Sequence, residues 1–186
     1  MNGAARISGP AADGAGAIPR LETVRLILRA PRVEEFEAYC AFVASDRAAH
    51  MFQLDRPAAW KEFAAELGHW PLFGYGPWHV ERREDGALVG AVSILNHDTY
   101  PETEIGWHLY DGFEGQGYAF EAATAARDWA FAERGLPTLV SYISPGNTRS
   151  IALAERLGAT LDRDARGEDE TDLVYRHARP AERAAQ

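Results

Sequence analysis

The stretch Glu114-Gly115-Gln116-Gly117-Tyr118-Ala119 decides how this chain is read, because of what lies on either side of it. Upstream, residues 103–110 form a β-rich run. Downstream, residues 118–134 carry Ala119, Ala122, Ala123, Ala126 and Ala130 on one narrow helical face, and Gly135-Leu136-Pro137 supplies the stop. A strand, a glycine turn and a helix in that order leave the helix's orphan N–H groups and positive dipole end beside small residues at Gly115, Gly117 and Ala119. Backbone amides can then close on an anion, so a phosphate site is the natural product. The turn lacks the Lys-Ser or Lys-Thr of a Walker loop and the third glycine of a dinucleotide fingerprint. Taken alone, it reads equally well as a glycine-rich connection with no ligand.

Working outward, residues 138–144 make the next strand. The strand, turn, helix and strand between 103 and 144 have the length of one parallel βαβ unit. Before it, the runs 78–82 and 87–94 are separated by Glu84-Asp85-Gly86, whose Asp-Gly step predicts a hairpin. Residues 21–29 open the fold as a strand that Pro31 ends. Phe36, Tyr39, Cys40 and Val43 then recur at spacings of three and four, which predicts an amphipathic helix over 33–45, followed by a second over 58–67. A helix over 148–157, stopped by Gly158, and a strand over 171–177 close the chain. The expected fold class is α/β in the α+β sense: a mixed, mostly antiparallel central sheet flanked by helices, one domain over 20–179. Residues 1–19, rich in Gly, Ala and Pro, and residues 180–186 are expected to be tails.

A chain of 186 residues holds one core, and its 46% hydrophobic and 11% aromatic content suits a folded domain. A net charge of -9 argues against a nucleic-acid partner, which calls for a basic face. It would attract a cationic substrate such as an amine, although acidic proteins commonly carry such charge for solubility alone. Cys40 is the single cysteine, which excludes an internal disulfide, and its helical setting suits a buried structural thiol. The six histidines show no ligand spacing, so no metal is expected. No apolar run has the length of a membrane span, and residues 1–20 lack the apolar centre of a signal peptide, so a cytoplasmic protein with no membrane partner is expected.

A second motif, Asn147-Thr148-Arg149-Ser150-Ile151-Ala152-Leu153-Ala154-Glu155-Arg156-Leu157-Gly158-Ala159, directly follows the next strand. With the glycine turn it resembles a GNAT-type N-acetyltransferase. The opening Leu21-Glu22-Thr23-Val24-Arg25-Leu26-Ile27-Leu28-Arg29 is similar to the start of the RimJ/RimL branch, whose members acetylate N-terminal amines of ribosomal proteins and include small-amine enzymes. The resemblance runs from Leu21 to about His177. It implies a sheet splayed at the coenzyme, with acetyl-CoA as acyl donor and no metal. Acetyl passes directly to a primary amine in a ternary complex, with a protein or peptide N-terminus as the favoured acceptor. A polyamine or antibiotic acceptor is the alternative, as is a non-catalytic acyl-CoA sensor or a scaffold. A homodimer stays open. One departure is Glu114, where the family often has Arg or Gln and the RimJ/RimL branch Trp. Since a carboxylate would repel a pyrophosphate, it is expected to face solvent.

The resemblance places the coenzyme pyrophosphate at Gly115, Gln116, Gly117, Tyr118 and Ala119. It sets the thioester carbonyl against backbone N–H groups from Trp107, His108 and Leu109. Glu104 is the chosen general base, against the reading of an exposed strand-end glutamate, with Glu102 as nearest substitute and Asp98 or His97 acting through water. An α-amine with a pKa of roughly 7.7 to 8.0 is already partly neutral near pH 7, which lowers the demand on any base. Ser150 resembles the serine that protonates the leaving thiolate, and its alternative is a hydrogen bond within its own helix. Asn147 caps that helix and reaches the pantetheine amides. The acceptor pocket is expected along Trp70-Pro71-Leu72-Phe73-Gly74-Tyr75-Gly76-Pro77-Trp78 and the helices before it, with core packing as the competing role for each aromatic.

Overall fold

The computed structural model describes residues 17–179. In chain order the elements are strands β1 (Leu21–Glu22) and β2 (Leu26–Arg29), helices α1 (Phe36–Val43), α2 (Arg56–Leu67) and α3 (His69–Phe73), strands β3 (Pro77–Arg82), β4 (Leu88–Leu95) and β5 (Glu104–Leu109), helix α4 (Tyr118–Ala132), strand β6 (Val140–Ile143), helix α5 (Thr148–Arg156), and strands β7 (Thr160–Leu161) and β8 (Leu173–Arg176). One eight-stranded sheet runs in the order β1-β2-β3-β4-β5-β6-β8-β7. Every neighbouring pair is antiparallel except β5 and β6. The mixed, mostly antiparallel sheet flanked by helices is the fold class that the sequence implies.

Four details differ from the sequence expectations. Residues 21–29 are two short strands bent at Thr23, whose hydroxyl and N–H both bind Leu26, the latter at 2.9 Å. Residues 33–45 begin with a 3₁₀ turn before α1 starts at Phe36. The expected tail over 1–19 is too long by at least two residues: Ile18 packs on the core, and the Pro19 carbonyl accepts the Trp78 indole N–H at 2.8 Å. Residues 1–16 and 180–186 of the expected tails lie outside the described residues. The largest correction concerns the aromatic segment 70–78. It forms α3 and the start of β3, and Trp70, Tyr75 and Trp78 are core residues. Trp78 meets Trp70 and Trp129 edge-on at 4.7 and 5.0 Å, a packing worth more than a loop lining.

The alanine face of α4 does what the sequence pattern requires. Ala122, Ala123, Ala126 and Ala130 are buried, which brings the helix axis close over β2, β4 and β5 and points its N-terminus at the end of β5. On the other face of the sheet, α1 and α2 build a second core from Phe36, Tyr39, Phe42 and Phe63. Beside it, Arg29 is buried yet satisfied by Glu35 (2.5 Å) and Glu81 (2.6 Å), and Glu35 also accepts from His79. That network fixes how the first helices sit on the sheet.

Candidate active site

The glycine turn has the local conformation that its composition demands. Gly115 and Gly117 take φ values of 74° and 81°, a left-handed region where a side chain would be strained. Gly117 is the N-cap of α4 and supplies no side-chain cap, so the first N–H groups of the helix have no side-chain acceptor. That is the arrangement an anion completes, and it fits a pyrophosphate. The opening motif holds it in place, a role that its reading as a strand missed. Thr23 Oγ1 donates to Glu121 in the first turn of α4 at 2.6 Å, and the Arg25 backbone N–H and Nε reach the same carboxylate at 2.8 and 2.7 Å. Arg25 also donates to the Gln116 carbonyl at 3.0 Å and lies over the Tyr118 ring. Loop, helix and opening strands are thereby tied together.

Glu114 does not face solvent as expected. It pairs with Arg47, which also binds Asp111 at 3.0 Å and the Leu109 carbonyl at 2.9 Å. Burial works to raise the Glu114 pKa, and the Arg47 contact together with a backbone N–H and the nearby Arg149 charge lowers it on balance, which keeps the carboxylate charged. A carboxylate neutralised by an arginine no longer opposes a phosphate, so the departure from the family pattern carries its own compensation.

Behind the turn opens a cleft of about 770 Å³ between β5 and β6. The two strands pair only at Glu104 and Val140 and then part. Where the ladder fails, side chains replace it: the Ser141 hydroxyl donates to the Ile105 carbonyl at 2.6 Å, and the Tyr142 N–H donates to Glu104 Oε1 at 3.2 Å. The Tyr110 N–H bonds Val89 across the antiparallel β4–β5 ladder, so by alternation His108 also spends its backbone groups there, opposite Ala91. Trp107 and Leu109 instead turn theirs toward the gap. Of the three residues expected to offer N–H groups there, two therefore face the gap. The His108 ring stacks on Phe42 at 4.5 Å, and burial pushes its pKa down to about 3, leaving it neutral.

Glu104, Trp107, His108, Leu109, Gly115, Gly117, Ala119, Asn147 and Ser150 all line this cleft. Two expected contacts do not. The Gln116 side chain folds back onto the Gly112 carbonyl at 3.0 Å, and the Tyr118 ring is buried beneath Arg25, so these residues have only backbone to offer. Asn147 Oδ1 accepts the Ser150 N–H at 3.2 Å, the capping bond that the sequence predicts, and the Ser150 hydroxyl makes no hydrogen bond among the described residues. Sequence reasoning passed over Arg149 and Arg156, which line the same wall from α5. Arg156 lies 4.1 Å over the Phe120 ring. Their seven-residue spacing on one helical face was the available signal.

The far end of the cleft is acidic. Glu62 and Glu66 from α2, Ser93, His97, Tyr100 and Glu104 line it. Burial pushes the Glu104 pKa up to about 8, against the lowering effect of the Tyr142 N–H, and puts Glu66 at about 8 as well, with Glu62 adding to the rise. Glu102 is no substitute base: Arg176 grips it through two bonds of 2.7 Å, and Thr138 through a third. None of Trp70, Phe73, Tyr75 and Trp78 reaches the cleft wall, so α2 and the loop carrying Met51 and Phe52 take the place expected of the aromatic segment. Among the described residues there is no group of three or more metal-ligating side chains, and no helix is long and apolar enough to cross a membrane.

Parallel strands part beside a glycine turn, with an ionisable carboxylate at the parting point, in one continuous cleft. The chain belongs to the GNAT acetyltransferase family: the model for the acetyltransferase (GNAT) domain matches residues 25–160. It is similar to an acetyltransferase of Agrobacterium tumefaciens of known structure, at 46% identity and a TM-score of 0.85, over 88% of this chain and 96% of that one. A ribosomal L7/L12 α-N-protein acetyltransferase, RimL, in complex with coenzyme A shares the fold at 18% identity and a TM-score of 0.68, over 89% of this chain and 99% of that one. Among relatives by sequence, the L-2,4-diaminobutyric acid acetyltransferase of Streptomyces coelicolor is 32% identical over 52% of this chain and 65% of its own length. The uncharacterised YkkB of Bacillus subtilis is 32% identical over 55% and 61%. The chain thus spans less than two thirds of the length of these sequence relatives.

Proposed function

We propose that this chain transfers the acetyl group of acetyl-CoA directly to a primary amine. The observation that carries the proposal is the cleft, which joins an uncapped helix N-terminus at Gly117 to the carboxylate of Glu104 through a parted strand edge. The pyrophosphate sits on the N–H groups of residues 115–119, with Arg149 and Arg156 near the remaining phosphate charge. The thioester carbonyl faces the Trp107 and Leu109 edge, whose N–H groups stabilise the oxyanion as it develops.

Glu104 takes a proton from the incoming ammonium. The freed nitrogen attacks the carbonyl carbon, the C–N bond forms, the C–S bond breaks, and the thiolate takes a proton from the cleft-lining Ser150 hydroxyl, which recovers it from the nitrogen. The products are the N-acetyl amine, coenzyme A and one proton. A carboxylate poised near pH 8 suits this task better than one at its ordinary pKa. The test is steady-state release of coenzyme A with a panel of amines. Tight acetyl-CoA binding without release for any acceptor would reduce the protein to an acyl-CoA sensor.

A protein N-terminus as the acceptor is a second reading. Its support is the likeness to RimL, and to a structure described as a putative ribosomal-protein-serine acetyltransferase from Vibrio cholerae at 25% identity and a TM-score of 0.66. Transfer to peptides beginning with Ala or Ser tests it.

A further inference from the structure

Gly106 has none of the positive φ of the turn glycines. It stands in the middle of β5, an interior strand with β4 on one side and β6 on the other. Glycine weakens a strand there, and the usual reasons for one are a bulge, the close approach of another backbone, or the close approach of a ligand. The first two are absent. The β4–β5 register runs without a shift from the pair Gly90 and Leu109 to the pair Leu95 and Glu104. Gly90 shows what a packing glycine looks like: a Cβ there would collide with the His108 carbonyl and lie 2.8 Å from the Leu109 Cα. The nearest atoms to a Cβ on Gly106 belong to the Glu104 carboxylate, at 3.8 to 3.9 Å, which is ordinary contact. Neither conformation nor packing calls for glycine at this position.

What lies over it is the cleft, which Gly106 lines together with Glu104 and His108. Residues two apart on a strand share a face, so the bare position falls between that carboxylate and the His108 ring. It is the face that α1 covers, where His108 stacks on Phe42. Ser93, the partner of Gly106 on β4, lines the same patch. By the alternation that turns Trp107 and Leu109 toward the gap, Gly106 spends its own backbone groups on Ser93. A ligand resting there meets the Gly106 Cα and no polar group of that residue, with the Glu104 carboxylate at its side.

We propose that Gly106 is a specificity-determining residue for the acceptor: its bare Cα seats the carbon that bears the reacting nitrogen, and the depth it leaves admits a substituent on that carbon. This rests on the acetyl-transfer reading above and adds a steric rule to it that is independent of the acceptor's charge. An unbranched amine needs only part of that depth, and an amine branched beside the nitrogen needs all of it. A methyl group built on residue 106 takes up the room of one such branch. Filling the seat also has an effect of opposite sign on the fold, because alanine suits an extended strand better than glycine does. A glycine kept for structural reasons would lose stability on the same change.

The experiment measures kcat/KM for butylamine against sec-butylamine, and for glycinamide against alaninamide, with the full chain and its Gly106→Ala and Gly106→Val variants. Calorimetry follows the binding of each amine to the coenzyme A-loaded protein. Gly106→Ala is expected to lower the branched-to-unbranched ratio by about tenfold in each pair, through KM. Its thermal midpoint should rise by roughly 1 to 4 °C. Gly106→Val is expected to abolish the binding of all four amines, with coenzyme A affinity within about twofold of the parent. A ratio that Gly106→Ala leaves unmoved, a midpoint that falls in that variant, or amine binding that is absent from the parent or survives in Gly106→Val would each overturn the proposal. Coenzyme A release with none of the four amines, while Gly106→Val still abolishes their binding, would overturn the acetyl-transfer reading and leave the seat standing.

Discussion

The two ends of the cleft treat charge in opposite ways. At the coenzyme end every nearby carboxylate is locked to an arginine, Glu121 to Arg25 and Glu114 to Arg47, while helix N–H groups are left uncapped. At the far end Glu62, Glu66 and Glu104 form no ion pair among the described residues, although Glu104 accepts the Tyr142 N–H and Glu66 the Ser93 hydroxyl. A site for an anion must hide its own anions, and a site for a cation can leave them exposed to the ligand. The difference is therefore a map of the two substrates, and it breaks most sharply at the glycine turn. Gly117→Val forces a β-branched residue into φ 81° and brings a side chain over the amides, toward Arg25 at 3.5 Å. Coenzyme A affinity by calorimetry is expected to fall by about 100-fold or more, with the thermal midpoint lowered by only a few degrees. Unchanged affinity would move the phosphate site elsewhere.

Glu104 lines the acidic end, at the point where β5 and β6 part. Glu104→Gln is expected to lower kcat by about 10²-fold or more, the usual share of a general base. The sign of the pH effect follows from its raised pKa: the base works only when deprotonated, so the rate of the parent rises with pH through about 8. The variant should lose that rise, which a pH profile of kcat/KM measures. An acid limb that survives intact would return Glu104 to holding the Tyr142 N–H at the parting of the strands. A smaller effect sharpens the coenzyme end: Arg25→Ala removes the tie between loop and helix and is expected to raise KM for acetyl-CoA by about tenfold with kcat little changed.

Much of this was legible in the sequence because it depends on local chemistry. The glycines of the turn, the alanine face of α4 and the Asn147 cap are fixed by backbone needs within a few residues, and the structure carries each of them. The aromatic segment was misread because glycine and proline among aromatics suit a shaped loop and a short helix turning into a strand equally well. Only the meeting of Trp70, Trp78 and Trp129, distant in the chain, decides between them. The ion pairs were illegible for the same reason: Arg47 and Glu114 are 67 positions apart, and Arg25 and Glu121 are 96. Local pattern placed the site, and long-range pairing set its charge.

The smallest expected effect tests whether the bare carboxylates carry a cost. The pKa of Glu66 in the folded protein is raised to about 8 from an ordinary 4.5, chiefly by burial. A group shifted upward in the fold stabilises it below the unfolded pKa, and that stability is lost as pH rises from about 4.5 through about 8, because the unfolded chain gives up the proton first. The substrate-free protein should therefore melt at lower temperature at pH 8 than at pH 5. Glu66→Gln, which has no proton to lose, should flatten that slope. Because Glu66 keeps some contact with solvent, its share is set at about 1 to 2 kcal/mol, or a few degrees in a small domain. Equal slopes in parent and variant would mean that Glu66 is solvated well enough to ionise freely, and the contrast between the two ends of the cleft would then rest on Glu62 and Glu104 alone.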